Sequence, residues 1–124
     1  MVSGGQEVKF EFVSTDAQTA AAISIYDWDG VAITLGSSER LLITGWVMVV
    51  GSALTINVFS DNDADAAVDA GERMLVGEFA ANGGTAIGTI AEGLPAKRGI
   101  TPKVKASAAG NVNIVGVGRL LRGG

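Results

Sequence analysis

The sequence predicts an all-β protein, an antiparallel β-sandwich of jelly-roll-like layout with eight or nine strands. Three observations carry that expectation. Short segments alternate apolar and polar residues at the two-residue period of a strand, and no segment holds a helical period. Turn signals built from Gly, Asn and Asp recur at short, regular intervals, as sandwiches and jelly rolls need. The 18 glycines and an apolar fraction of 48% favour turns and covered strands over helix.

Residues 1–6, MVSGGQ, have no pattern and are expected as a flexible arm, with one β-sandwich domain over 7–122 and a flexible tail at 123–124. Val8, Phe10 and Phe12 alternate with Glu7, Lys9 and Glu11, giving a half-buried strand with a polar outer face. After the polar stretch STDAQTA, Ile23 and Ile25 lead to a hairpin turn at Asp29 and Gly30, and Val31 to Leu35 returns.

Leu41 to Ser60 is the longest uncharged run, closed by Arg40 and Asp61. Its length suits a membrane helix, but Gly51 and Ser52 interrupt it and Val and Ile abound. Two buried strands joined by a tight turn are expected instead. Strict alternation puts Leu42, Thr44, Trp46, Met48 and Val50 on one face and Leu41, Ile43, Gly45, Val47 and Val49 on the other. Both faces are apolar, which predicts a core on one side and a second subunit on the other. Beyond the acidic loop, RMLVGEF and TAIGTI are short strands split by Asn82, Gly83 and Gly84, and AEGLPAKRG is a loop. Pro102 and its neighbouring lysines suit an edge strand, and NVNIVGVGRLLR is the last strand.

Composition excludes whole classes of function. The chain has no Cys and no His, so thiolate metal sites, disulfides and the usual general base near neutral pH are absent. The eight serines have no nucleophile elbow and no histidine partner, so triad chemistry is excluded and no enzyme is expected. The first twenty residues hold no signal-peptide block, so folding in a cytoplasm is expected. All 13 acids lie before residue 97, and the six basic residues from Lys97 onward face no acid in their own segment. That tail has no aromatic residue to stack on bases, so nucleic acid is not an expected partner. Lys97, Arg98, Lys103 and Lys105 instead suit an ionic contact with an acidic surface of this chain or a neighbour, and Trp46 and Met48 suit a core or subunit contact.

The sharpest motif is DNDADAAVDAGE. Asp61, Asp63, Asp65, Asp69 and Glu72 take positions 1, 3, 5, 9 and 12 of a twelve-residue calcium loop, with the Ala67 carbonyl at position 7. The departure is Ala66, where such loops use glycine for a left-handed turn. The alternative is a solvated acidic connection between two strands. Asp27 and Asp29 flank Trp28, a carboxylate pair beside an aromatic as in sugar sites, whose plainer reading is an ordinary hairpin mouth. Tyr26, Trp28 and Trp46 can form a carbohydrate platform if all three are exposed, and the tryptophans are core or interface anchors otherwise.

From Arg73 to Leu120 the layout resembles that of capsid decoration, or cement, proteins of tailed bacteriophages. GITPKVKAS, AAGN and VNIVGVGRL fill the places of a glycine-opened strand, a small-residue turn and a last alternating strand. The resemblance implies a homotrimer on the outer surface of the virion, seated where major capsid proteins meet, and reaching it from the host cytoplasm during assembly. The competing expectation is a carbohydrate- or receptor-binding module of a tail fibre or accessory domain. Exposure of Trp28 and Trp46 distinguishes the two.

Overall fold

The computed structural model describes residues 6–88, 90 and 93–122. Most of the expected arm (1–5) and the tail (123–124) lie outside the described residues, and Gln6 is the first residue of β1. The described chain is all-β. Its strands are β1 (Gln6–Asp16), β2 (Ala21–Ala22), β3 (Ser24–Tyr26), β4 (Ala32–Ile33), β5 (Glu39–Val50), β6 (Leu54–Phe59), β7 (Arg73–Phe79), β8 (Gly84–Ile87), β9 (Leu94–Pro95), β10 (Lys103–Ala106) and β11 (Ala109–Arg122). Eleven strands replace the expected eight or nine because β2, β4 and β9 are two-residue pairings too short to leave a periodic signal. One of them, β9, lies inside AEGLPAKRG, which the sequence alone reads as a loop. Its Pro95 sits against the margin of β5, a place where a missing N–H is tolerated.

All pairings are antiparallel and fall into two sheets. The larger runs β4-β3-β1-β11-β5-β8, with β9 also on β5; the smaller runs β2-β10-β6-β7. Their inner faces meet in one core, with Val8, Phe10, Leu41, Ile43, Met48 and Ile114 from the larger sheet and Ile56, Val58, Leu75 and Val104 from the smaller. The alternation read in β1 is seen directly, with Val8, Phe10 and Phe12 buried and Glu7 and Glu11 exposed. Among the described residues no helix is long and apolar enough to cross a membrane.

The central uncharged run does form two strands, but they are not a hairpin. β5 pairs with β11, β8 and β9, whereas β6 pairs with β10 and β7. The chain at Gly51 crosses from one sheet to the other, held by its N–H to the Asn111 carbonyl at 2.9 Å. Strict alternation along β5 also fails. Val117 faces Gly45 and Gly118 faces Ile43, so Thr44 is an extra residue, a β-bulge. The bulge switches the parity. Leu41 and Ile43 point into the core below it, and Met48 and Val50 above it, while Val47 and Val49 are exposed. One apolar face is buried along the strand and changes parity at the bulge; the other is covered at Leu42, opposite Pro95, and open at Val47 and Val49. Thr44 is anchored there by its hydroxyl, which donates to the Val117 carbonyl at 3.2 Å, and by its carbonyl, which accepts the Ile90 N–H at 2.7 Å.

Candidate functional site

Between β6 and β7 the chain folds around two carboxylates. Asp61 is 2% exposed and Glu72 6%. Asp61 accepts the Asp65 N–H on Oδ1 at 3.2 Å and the Ala66 N–H on Oδ2 at 2.9 Å. Glu72 accepts the Asn62 N–H on Oε2 at 2.9 Å and the Asp69 N–H on Oε1 at 3.0 Å. The first and last acids of the motif thus satisfy the loop's backbone donors from within, as a buried turn requires. Ala66 has φ 61°, the left-handed conformation its position demands, at a cost of about 1 kcal/mol for a residue with a Cβ.

Carboxylate oxygens of Asp61, Asp63, Asp65 and Glu72 lie within 4.8 Å of one another. Oxygens on opposite sides of one calcium ion stand about 4.6–5.2 Å apart, so this spread can hold a single hard divalent cation. Asp69, the fifth acid of the motif, is not in that group of four and meets the Asp63 carboxyl instead. Desolvation, and then contact with the Asp65 and Asp69 carboxyls, pushes Asp63 up to about 6. Asp69 is raised as well: its hydrogen bond with Asp63 opposes the rise, but contact with Asp65 and desolvation outweigh it. Residues 61–72 hold five acids and no basic residue, so like charges crowd one another in the loop. Asp61 goes the other way, held low chiefly by the Lys103 ammonium at 2.8 Å against the opposing effect of burial. That ammonium would compete with a metal ion for the Asp61 Oδ2.

The basic residues of the C-terminal segment divide. Lys103, on β10, is spent on Asp61 within the same chain. Lys97 and Arg98 are exposed beside the loop; the Lys97 N–H donates to Ser60 Oγ at 3.0 Å and Arg98 Nη1 to the Ser38 carbonyl at 3.5 Å. Lys105 stands half-buried on the outer face of the smaller sheet, opposite Asn57. Arg122 pairs with Glu39 at 2.6 Å, joining the end of β11 to the start of β5. Met48 is 1% exposed and belongs to the chain's own core, so it is not available for the expected contact with a second subunit. Trp46 packs half-buried against that core.

The aromatic residues also divide. Trp28, on the turn between β3 and β4, is 55% exposed, with Lys9 Nζ at 5.6 Å from its ring centre. Asp27 is occupied by the turn itself, its Oδ1 accepting the Asp29 and Val31 N–H groups at 2.9 Å each. The outer face of the larger sheet holds three shallow depressions of about 340–360 Å³, two of them bordered by Lys9. One of them is bordered by Gly45, Val47, Ile87, Val115 and Val117. At Val47 and Val49 this face is one of the two apolar faces of β5 expected from the sequence, and Val13 from β1 and Val115 from β11, both exposed, extend it.

Fold and surface together define a two-sheet, β-sandwich-like protein with one acidic loop and one open apolar sheet face. No protein-family model, curated protein or solved structure matches the chain.

Proposed function

We propose that this protein is a non-enzymatic structural component of a virion, a capsid decoration protein that binds the outer shell of major capsid protein as a homo-oligomer and stabilises it. In the resembling family the oligomer is a trimer. The observation that carries the proposal is the open outer face of the larger sheet, whose exposed valines are not needed by the core and suit contact with protein. The strand order adds support. Numbering β1, β2, β5, β6, β7, β8, β10 and β11 as one to eight, the sheets read 1-8-3-6 and 2-7-4-5. That order is the one a jelly roll would have, an architecture of capsid and lectin domains, once the β3–β4 hairpin and β9 are set aside as insertions, and it supports this reading. Many weak contacts on a repeating shell then add to firm attachment. In this proposal a calcium ion held by Asp61, Asp63, Asp65 and Glu72 stiffens the loop beside Lys97 and Arg98.

The test is cosedimentation with capsids of the virus that encodes the protein. Binding is expected to weaken with salt and to fall when Lys97, Arg98 and Lys105 are replaced by Glu; unchanged occupancy would dismiss the ionic part, and no occupancy at all would dismiss the role. A second reading, carbohydrate or receptor binding, is favoured by one observation, the exposed Trp28 ring. Glycan-induced change in Trp28 fluorescence would move it to the front.

A further inference from the structure

We infer that the outer face of the larger sheet pairs with the same face of a second copy about a twofold axis. Strand register arranges that face in rows. Glu7 lies beside Arg119. The next row is Lys9, Val117 and Gly45; the one after it is Glu11, Val115, Val47 and Ala86; the last is Val13, Asn113, Val49 and Gly84. Three columns therefore alternate along neighbouring strands: Lys9 then Glu11 on β1, Val117 then Val115 on β11, and Gly45 then Val47 on β5.

A twofold axis lying between two such faces, perpendicular to the strands and midway between the Lys9 row and the Glu11 row, sets each strand over its own copy and exchanges the two rows. Lys9 then meets Glu11 of the second copy, and Glu11 meets its Lys9. Val117 meets Val115. Val47 meets the shallow depression bordered by Gly45, Ile87, Val115 and Val117. Opposite charge, apolar contact and knob-into-hollow shape are all satisfied by one operation. A self-matching patch of this kind closes a pair, whereas a threefold ring needs two different patches. Sheets packed face to face with strands nearly aligned are an ordinary arrangement.

The extent of the face sets the strength. Four strands spaced by about 4.8 Å and some 20 Å of strand from Glu7 to Val13 give a footprint of about 400 Å² per copy. Two copies cover about 800 Å², below the roughly 1,000 Å² that a lasting interface clears, so the pairing is weak and transient and occurs only at high-micromolar to millimolar concentration. Such a pair is silent in dilute solution and forms where copies are concentrated. It rests on the assembly reading above only in needing a protein that works at high local concentration.

Sedimentation velocity of the full chain from about 5 µM to about 1 mM tests it. The mass is expected to rise from 12.6 kDa toward twice that value. Val47→Glu, at a position 49% exposed, keeps the fold by near-ultraviolet circular dichroism but stays monomeric. Lys9→Glu weakens pairing by about tenfold or more through like charges, and the exchange Lys9→Glu with Glu11→Lys restores it, although both variants lose the Trp28 contact equally. A monomer throughout, a trimer, a dimer indifferent to Val47→Glu, or failure of the exchange to restore pairing each overturns the inference. A monomer that still coats capsids overturns the pairing and leaves the proposed function standing; a pair that never binds capsids does the reverse.

Discussion

Ile43 and Val47 share a face under strict alternation, and the bulge at Thr44 separates them, so the two positions respond very differently to truncation. Ile43 is 0% exposed and Val47 49%. Ile43→Ala removes three carbons, about 2.4 kcal/mol at about 0.8 kcal/mol each, and the cavity left behind raises the loss to about 3–4 kcal/mol. Val47→Ala removes two carbons from a side chain already in water and costs about 0.5 kcal/mol or less. The measurement is urea unfolding followed by tryptophan fluorescence, at about 1–2 µM so that the outer face is unpaired. With a slope of about 1.5 kcal/mol/M, the midpoint falls by about 2 M for Ile43→Ala and by about 0.3 M or less for Val47→Ala. Equal shifts for the two variants would refute the parity switch and return the strand to regular alternation.

Three further outcomes are expected. Because the folded-state Asp63 is raised to about 6, its contribution to stability is fully present below the unfolded carboxyl pKa of about 3.9 and lost as pH rises through about 6; melting temperature relative to Asp63→Asn therefore falls across that window. Millimolar calcium raises the melting temperature above that window by relieving the same repulsion, and loses its effect in an Asp63→Asn/Asp65→Asn variant; no gain in the unsubstituted protein removes calcium from the loop. Gly116→Ala drives a Cβ into the Phe10 ring and the Gly45 carbonyl, and lowers stability by about 1–3 kcal/mol in the same urea assay.

Much of the acidic loop was legible in the sequence because its chemistry is local. The spacing of Asp61, Asp63, Asp65 and Glu72 within one short turn brings their oxygens together, and the left-handed Ala66 follows from the same turn. The pairing of Asp61 with Lys103 was not legible, since 42 positions separate them and only the adjacency of β6 and β10 brings them to 2.8 Å. Nor was the division of the tryptophans, because alternation along β5 says nothing of which layer covers each face.

Residues within a few positions of one another set the all-β class, the alternating β1, the turns at Gly30 and Asn82 and the acidic loop, so each was legible before the fold was known. Tertiary structure decided that β5 and β6 belong to different sheets, that Thr44 is a bulge, and that Met48 is core while Val47 is surface. A two-residue period records only relative facing. Which face meets the core, and where the count skips a residue, is set by the partner strands, and those come from β11 and β8, far along the chain.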